Sequence, residues 1–388
     1  MENSENTSYP EKFSNFNAEV KVASPGRINL IGEHTDYNNG FVMPTAIDKK
    51  IFFDFRKNDS VDNCQIYSLT FNSYFEFNLN DFSKAEGSWK NYLLGVIDEI
   101  QKMGKKLSGF DCIIKSELPI GAGISSSAAL ECGFAGGLNQ LFNLNLSKQE
   151  IVELSQRAEN NFVGSNCGIM DQFASVMSKK DHIILLDCKT LETEYIPADF
   201  KNCNLLLLNT NVSHSIADSE YNTRRAECEA AVRKIQQKYP EANSLREVNF
   251  DMLEEFKAEL PKKTYQRCVY VLKENERVEK ASAAMKSGKL KEFGELMYQS
   301  HEGLQHNYEV SCPELDFMVE FSRSKDFIYG SRMMGGGFGG CTINLIEVDK
   351  IEEYSEEISE AYFKEFHRKM DVISVSAGEG TIIEKFKA

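Results

Sequence analysis

Residues 25 to 37 read Pro25-Gly-Arg-Ile-Asn-Leu-Ile-Gly-Glu-His-Thr-Asp-Tyr37. The apolar piece Ile28 to Ile31 predicts a strand feeding a loop, with Arg27 before it and Glu33, His34 and Asp36 after it. Such a stretch is either a solvated turn or a set of donors and acceptors gathered to grip a polyhydroxylated ligand. His34 by itself reads as structural, and nothing around it has the spacing of a zinc site.

Moving outward, Ile51 to Phe55, Gln65 to Phe71 and Tyr74 to Phe77 alternate as antiparallel strands, broken by Asp59-Ser60 and Asn72-Ser73. Trp89, Tyr92, Leu93, Val96, Ile97 and Ile100 then fall on one helical face, with Ser88 as the expected cap and Gly104 as the stop. After a strand from Phe110 to Lys115 comes Leu118-Pro-Ile-Gly-Ala-Gly-Ile-Ser-Ser-Ser-Ala-Ala-Leu130, a glycine-serine loop running into a helix from Ala128 to Leu141. Unpaired amides and the dipole at such a helix start favour an anion, and Gly121, Gly123, Ser125, Ser126 and Ser127 would supply close backbone approach and hydroxyl donors. Ordinary serine capping is the competing reading.

A capping box, Ser147 to Glu150, opens a helix expected to reach Glu159. Asp171 then sits in the predicted helix Gly168 to Ala174 among Ile169, Met170 and Phe173, where a carboxylate is costly unless paired; Arg27 is the candidate partner. Ile183 to Leu186 and Leu205 to Leu208 read as buried strands, and 218 to 321 as amphipathic helices. Gly335, Gly337 and Gly340 spell G-x-G-x-x-G, but a strand-like run follows instead of a helix, which argues against a dinucleotide fold; no Walker loop is present either.

The chain has 388 residues, 41% hydrophobic and 27% charged, the mix of a globular protein with two or three domains. A boundary near Pro197 is expected, giving 1–197 and 198–388. The net charge of −15 disfavours nucleic acid and anionic membranes as partners, so an anionic ligand needs local positive groups. The first residues carry no basic or apolar targeting signal, which predicts a cytoplasmic protein. Ten cysteines without a C-x-x-C pair predict reduced core thiols.

Together, the stretch from Pro25 to Tyr37, the loop Pro119 to Ala129, Cys167-Gly-Ile-Met-Asp-Gln-Phe173 and Gly330-Ser-Arg-Met-Met-Gly-Gly-Gly-Phe-Gly-Gly-Cys341 resemble the signature set of the GHMP kinases, over about residue 20 to the C-terminus. The resemblance is to the galactose-specific members of that family. It implies an α+β fold of two domains with the active site in the cleft between them. It implies that ATP, with Mg²⁺, phosphorylates the anomeric C1 hydroxyl of galactose, the first committed step of galactose catabolism, with no obligate protein partner. Carried over, Glu33, His34, Asp36, Gly168, Asp171 and Tyr221 hold the sugar; Arg27 and Asp171 are catalytic. Gly121, Gly123, Ser125, Ser126 and Ser127 hold the ATP phosphates, and Ser127 and Glu159 the metal. The glycines from Gly335 to Gly340 line the cleft. Met334 stands where family members usually carry threonine.

Overall fold

The computed structural model describes Phe13 and residues 16–85, 88–119, 121–212 and 217–386. Six strands form the first sheet, in the spatial order Ile382–Lys385, Val20–Asn29, Pro44–Lys57, Phe110–Ser116, Asn63–Ser68, Ser73–Asn78. Only the pairing of Asn63–Ser68 with Phe110–Ser116 is parallel. The edge strand Ile382–Lys385 returns from the far end of the chain to pair with Val20–Ala23. A two-domain division at residue 197 therefore stays a proposal that has to count this last strand with the first domain.

The register of Val20–Asn29 against Pro44–Lys57 shifts between Pro25 and Arg27. Proline cannot donate to the ladder, and a bulge is where a strand accommodates it and re-aims a side chain. Here the Arg27 N–H leaves the ladder and donates to Ile124 O at 3.0 Å, joining the first motif to the glycine-serine loop.

Helix Ser126–Phe142 lies across the first two long strands. Two of its three interior glycines have an aromatic packing reason: a Cβ at Gly133 would overlap the Phe53 ring and one at Gly137 the Phe55 ring. Two aromatic rings thus fill the space that side chains on the helix would otherwise take. The capping box at Ser147 and Glu150 is present, but the α-helix it opens ends at Arg157 and the chain widens into a π-turn over Ala158–Val163. Ser88 accepts from Lys90 N at 3.3 Å, while Trp89 occupies the cap position of helix Lys90–Lys102.

The second sheet runs Ile328–Met333, Cys341–Glu347, Cys203–Asn209, Asp371–Val375, all antiparallel. Leu205 and Leu207 join the main core while Leu206 and Leu208 pack under helices Pro313–Arg323 and Ile351–Phe366, which explains four consecutive buried leucines. Helices Ala217–Ile235, Phe250–Glu255 and Lys262–Lys286 enclose a separate helical core. A small third sheet joins Phe41–Val42, His182–Asp187 and Thr193–Pro197. The ten cysteines are free, nine of them buried, and among the described residues no helix is long and apolar enough to cross a membrane.

Gly137→Ala should destabilise the protein by up to roughly 2 kcal/mol, because overpacking against Phe55 (about 1–3 kcal/mol) outweighs the helix-propensity gain of about 1 kcal/mol. Urea denaturation measures it; a stabilised variant would show that the ring repacks at no cost.

Candidate active site

The bulged strand delivers Arg27 into a buried position, 4% exposed. Its Nε and Nη2 donate to Asp171 Oδ1 and Oδ2 at 2.8 and 2.9 Å, and its Nη1 donates to Gly123 O at 2.7 Å. One guanidinium therefore ties together three separated stretches of sequence. Ser125 adds a hydroxyl donor to Asp171 Oδ2. Burial opposes the charge on Arg27, yet the carboxylates of Asp171 and Glu33 outweigh it and hold the pKa above the ordinary arginine value.

These groups open onto a cavity of about 170 Å³ lined by Arg27, Glu33, His34, Asp36, Asp171 and Tyr221, with Gly335 to Gly337 as the opposite wall. The sugar residues expected from the sequence are thus brought to one place. Burial, followed by Arg224, pushes His34 down to about 3, so its imidazole is neutral. Its Nδ1 shares a hydrogen bond with Tyr37 Oη at 2.9 Å, which in turn meets Tyr308 Oη at 2.7 Å. Its Nε2 is buried and makes no hydrogen bond of good geometry, with the Gly336 backbone close enough to offset part of that lowering. Burial, and then the charge of Asp171, pushes Asp36 up to about 7. Gly168 contributes space: a Cβ there would overlap the Asp36 carboxylate and come within 2.8 Å of Tyr37 N. The Tyr221 ring packs 5.4 Å from those of His34 and Tyr37.

On the other side of Asp171, Gly121, Gly123 and Ser125 all have positive φ, at 75°, 70° and 57°. Helix Ser126–Phe142 begins one residue later, and Ser125 makes no side-chain cap. Its hydroxyl goes to Asp171 instead, so ordinary capping does not account for it. A non-glycine residue in the left-handed region is a strain that surrounding contacts must hold in place. The Ser127 hydroxyl bonds the carboxylate of Glu159, which burial and then Asp171 push up to about 7. Beside Ser126 and Ser127 lies a second, mostly apolar pocket of about 260 Å³ walled by Phe71, Trp89, Tyr92 and Leu130. Trp89 and Tyr92 read in the sequence simply as the buried face of a helix.

The galactokinase galactose-binding signature matches residues 7–57, the N-terminal domain of GHMP kinases residues 91–179 and their C-terminal domain residues 281–365. A galactokinase from Thermosipho africanus is 43% identical over 93% of this chain and 99% of its own length; one from Clostridium acetobutylicum is 41% identical over 95% and 97%. The chain is a member of the galactokinase family. Among solved structures, Lactococcus lactis galactokinase complexed with galactose matches with a TM-score of 0.88 and 36% identity, covering 94% of this chain and 95% of that one. Methanococcus jannaschii mevalonate kinase shares the fold at 19% identity, with a TM-score of 0.66.

Two charged residues of this chain were assigned no role from the sequence: Arg332, although it lies in the quoted stretch Gly330 to Cys341, and Glu274, which lies in none of the motifs. Arg332, fully buried, donates to Glu33 Oε1 at 3.0 Å, to Leu30 O at 2.7 Å and to Asn29 O. Gly335 N gives the same Glu33 oxygen a second bond at 3.0 Å. Glu274, also fully buried, accepts from Gly32 N at 3.0 Å and from Ser300 Oγ at 2.6 Å. The loop from Gly32 to Tyr37 is therefore clamped by two residues from the second half of the chain. The place of Arg332 inside the quoted stretch, directly before the glycine cluster, was the available signal. Met334, where the family usually has threonine, is 1% exposed and packs in the main core; its backbone, with Gly335, lies against Gly123.

Arg332→Met should destabilise the enzyme by about 3–5 kcal/mol, since it leaves Glu33 as a buried charge without its partner. A second substitution, Glu33→Gln, should recover part of that loss. Denaturation of the two single variants and the double variant measures the coupling; strict additivity would mean that the pair carries no interaction energy.

Proposed function

We infer that this chain transfers the terminal phosphoryl group of ATP to the C1 hydroxyl of galactose, giving galactose 1-phosphate. The observation that carries the reading is the Arg27–Asp171 pair, set between the cavity of the sugar loop and the loop Gly121 to Ser127. A transferring phosphoryl group has to pass between those two places.

In this reading Glu33, His34, Asp36 and Tyr221 hold the sugar, with the clearance at Gly168 letting Asp36 approach. Glu33 Oε1 is already occupied by Arg332 and Gly335, so the sugar competes only for its other oxygen. Neutral His34 offers Nε2 to a hydroxyl. The amides at the start of helix Ser126–Phe142 receive the ATP phosphates, and the apolar pocket at Phe71, Trp89 and Tyr92 suits the flat face of adenine.

Phosphoryl transfer has a loose transition state whose charge lies on the phosphoryl oxygens, so positioning and charge neutralisation do most of the work. Arg27 supplies fixed positive charge at the cavity wall. Asp171, whose side chain remains 24% exposed there, orients the C1 hydroxyl and accepts its proton. Arg27 and Ser125 occupy part of its capacity, which makes orientation as important as proton transfer.

Mg²⁺ fits the site by its chemistry. Ser127 and Glu159 present two hard oxygen donors beside the phosphate loop, and Glu159, a buried acid raised to about 7 in the absence of a cation, has much to gain from one. No group of three His, Cys, Asp or Glu side chains arranged for a metal occurs among the described residues; two protein ligands completed by phosphate oxygens and water are the usual arrangement for this ion. Bound there, it would neutralise charge on the nucleotide phosphates.

An ATP-consumption assay with galactose, glucose and N-acetylgalactosamine tests the function; turnover with either of the others and none with galactose would overturn it. Asp171→Asn should keep galactose binding within a few-fold while turnover falls by roughly 10²–10⁴. Near-normal turnover would remove Asp171 from proton transfer. Because a protonated Glu159 cannot hold a cation, apparent Mg²⁺ affinity should rise up to about tenfold per pH unit below about 7 and level off above it. A Mg²⁺ requirement that does not change across that range would exclude Glu159 as a ligand.

A further inference from the structure

A cavity of about 480 Å³ lies between helix Lys262–Lys286 and the chain from Gln299 to Asn307. Lys273, Arg277 and Lys280 face it from one side of the helix, and His306 from the opposite wall. The three helix residues are a concentration of cations on a chain with a net charge of −15. Two acids share the rim, and neither cancels them. Glu302 is engaged by Arg323 at 2.8 Å. Glu276 sits 3.7 Å from Lys280 with both side chains more than half exposed, where an ion pair is worth little. Lys273 has no ion-pair partner among the described residues.

The centre of the cluster is built rather than incidental. Arg277 is 12% exposed and its Nη2 is buried without an acceptor. It packs beside Gly303, where a Cβ would stand 3.2 Å from Nη2 and closer still to the Tyr270 ring. The opposite wall is a π-turn, Leu304–Tyr308, a conformation that concentrates at functional positions. Each wall also reaches the sugar loop. Arg277 Nε donates to Glu274 Oε2 at 2.6 Å, and Glu274 Oε1 holds Gly32 N. Tyr270 Oη donates to Glu33 O at 3.0 Å. Tyr308, at the end of the π-turn, meets Tyr37.

We propose that this cleft binds a phosphate monoester of a small metabolite, and that its occupation weakens galactose binding through Arg277, Glu274 and Gly32. Arginine and lysine together are what phosphate oxygens recruit, and the volume leaves room for an organic group beyond the phosphate. An anion drawing Arg277 outward loosens its bond to Glu274, and with it the hold on the sugar loop. By linkage, galactose must weaken the anion by the same factor. The linkage rests on the sugar-loop reading, which the assay with galactose tests separately; binding in the cleft does not depend on it.

The test uses the full chain saturated with a non-hydrolysable ATP analogue, so that the phosphate loop is filled. Inorganic phosphate and galactose 1-phosphate are titrated calorimetrically, the latter with galactose also present to block the sugar cavity. Saturable binding of one equivalent is expected, by both probes if the phosphate group suffices or by the sugar phosphate alone if the organic group is needed. The galactose Kd should rise about fivefold or more when the binding probe is present. Lys273→Gln with Lys280→Gln, both on the exposed rim, should weaken the anion tenfold or more and abolish that rise while leaving basal turnover unchanged. No saturable binding to the wild-type protein, binding undiminished in the double variant, or a galactose Kd indifferent to the probe would each overturn the proposal.

Discussion

Arg27 gives up its hydration to sit beneath the cavity, and the rest of the site is arranged around the compensation it needs. Moving a guanidinium out of water costs several kcal/mol unless opposite charge and hydrogen-bond acceptors replace the lost solvent. Asp171 supplies two of those acceptors and Gly123 O a third. Meeting that requirement brings helix Met170–Met177, the loop Gly121 to Ser127 and the first long strand into contact at fixed distances. A proline-associated bulge makes the geometry possible, because an unbroken ladder would have kept the Arg27 N–H on the neighbouring strand rather than on Ile124.

The remaining charges follow the same logic. Arg332 and Glu33 form a fully buried pair, and Glu274 is shared between Arg277 and the backbone of Gly32. Each joins the second half of the chain to the sugar loop, and each would be costly to leave half made. Asp36 and Glu159 lack such a partner and are pushed up to about 7, and both line the cavity, where a ligand would complete them. Positive charge in this acidic molecule is thus placed locally, where an anion must be held against the overall field.

Much of this was legible in the sequence because the residues that do the chemistry lie in short contiguous runs. Glu33, His34 and Asp36 are within four positions of one another, and a loop of glycine and serine opening a helix has a physical meaning from its residue types alone. The pairing of Arg27 with Asp171 followed from the cost of an isolated carboxylate among apolar neighbours. The parts that were not legible depend on contacts between distant segments. Ser125 has the residue type of a helix cap, and its left-handed backbone is imposed by what surrounds it. Glu159 is expected on an ordinary helix and lies instead on a π-turn. Trp89 and Tyr92 carry the periodicity of a buried face, which does not distinguish core from pocket wall.

The sequence by itself determined the chemistry: which side chains can bind a polyol, which backbone can cradle a phosphate, and which carboxylate needs a cation beside it. These are properties of residue types and close spacing, so they do not depend on how distant segments meet. The tertiary structure alone decided the geometry that makes them one site. It set the return of Ile382–Lys385 to the first sheet, the glycine wall from Gly335 to Gly337 facing the sugar loop, and the clamp of Arg332 and Glu274 from the other half of the chain. The physical reason is range: helix, strand and cap signals act over a few residues, whereas a buried charge is compensated by whatever the completed fold places beside it.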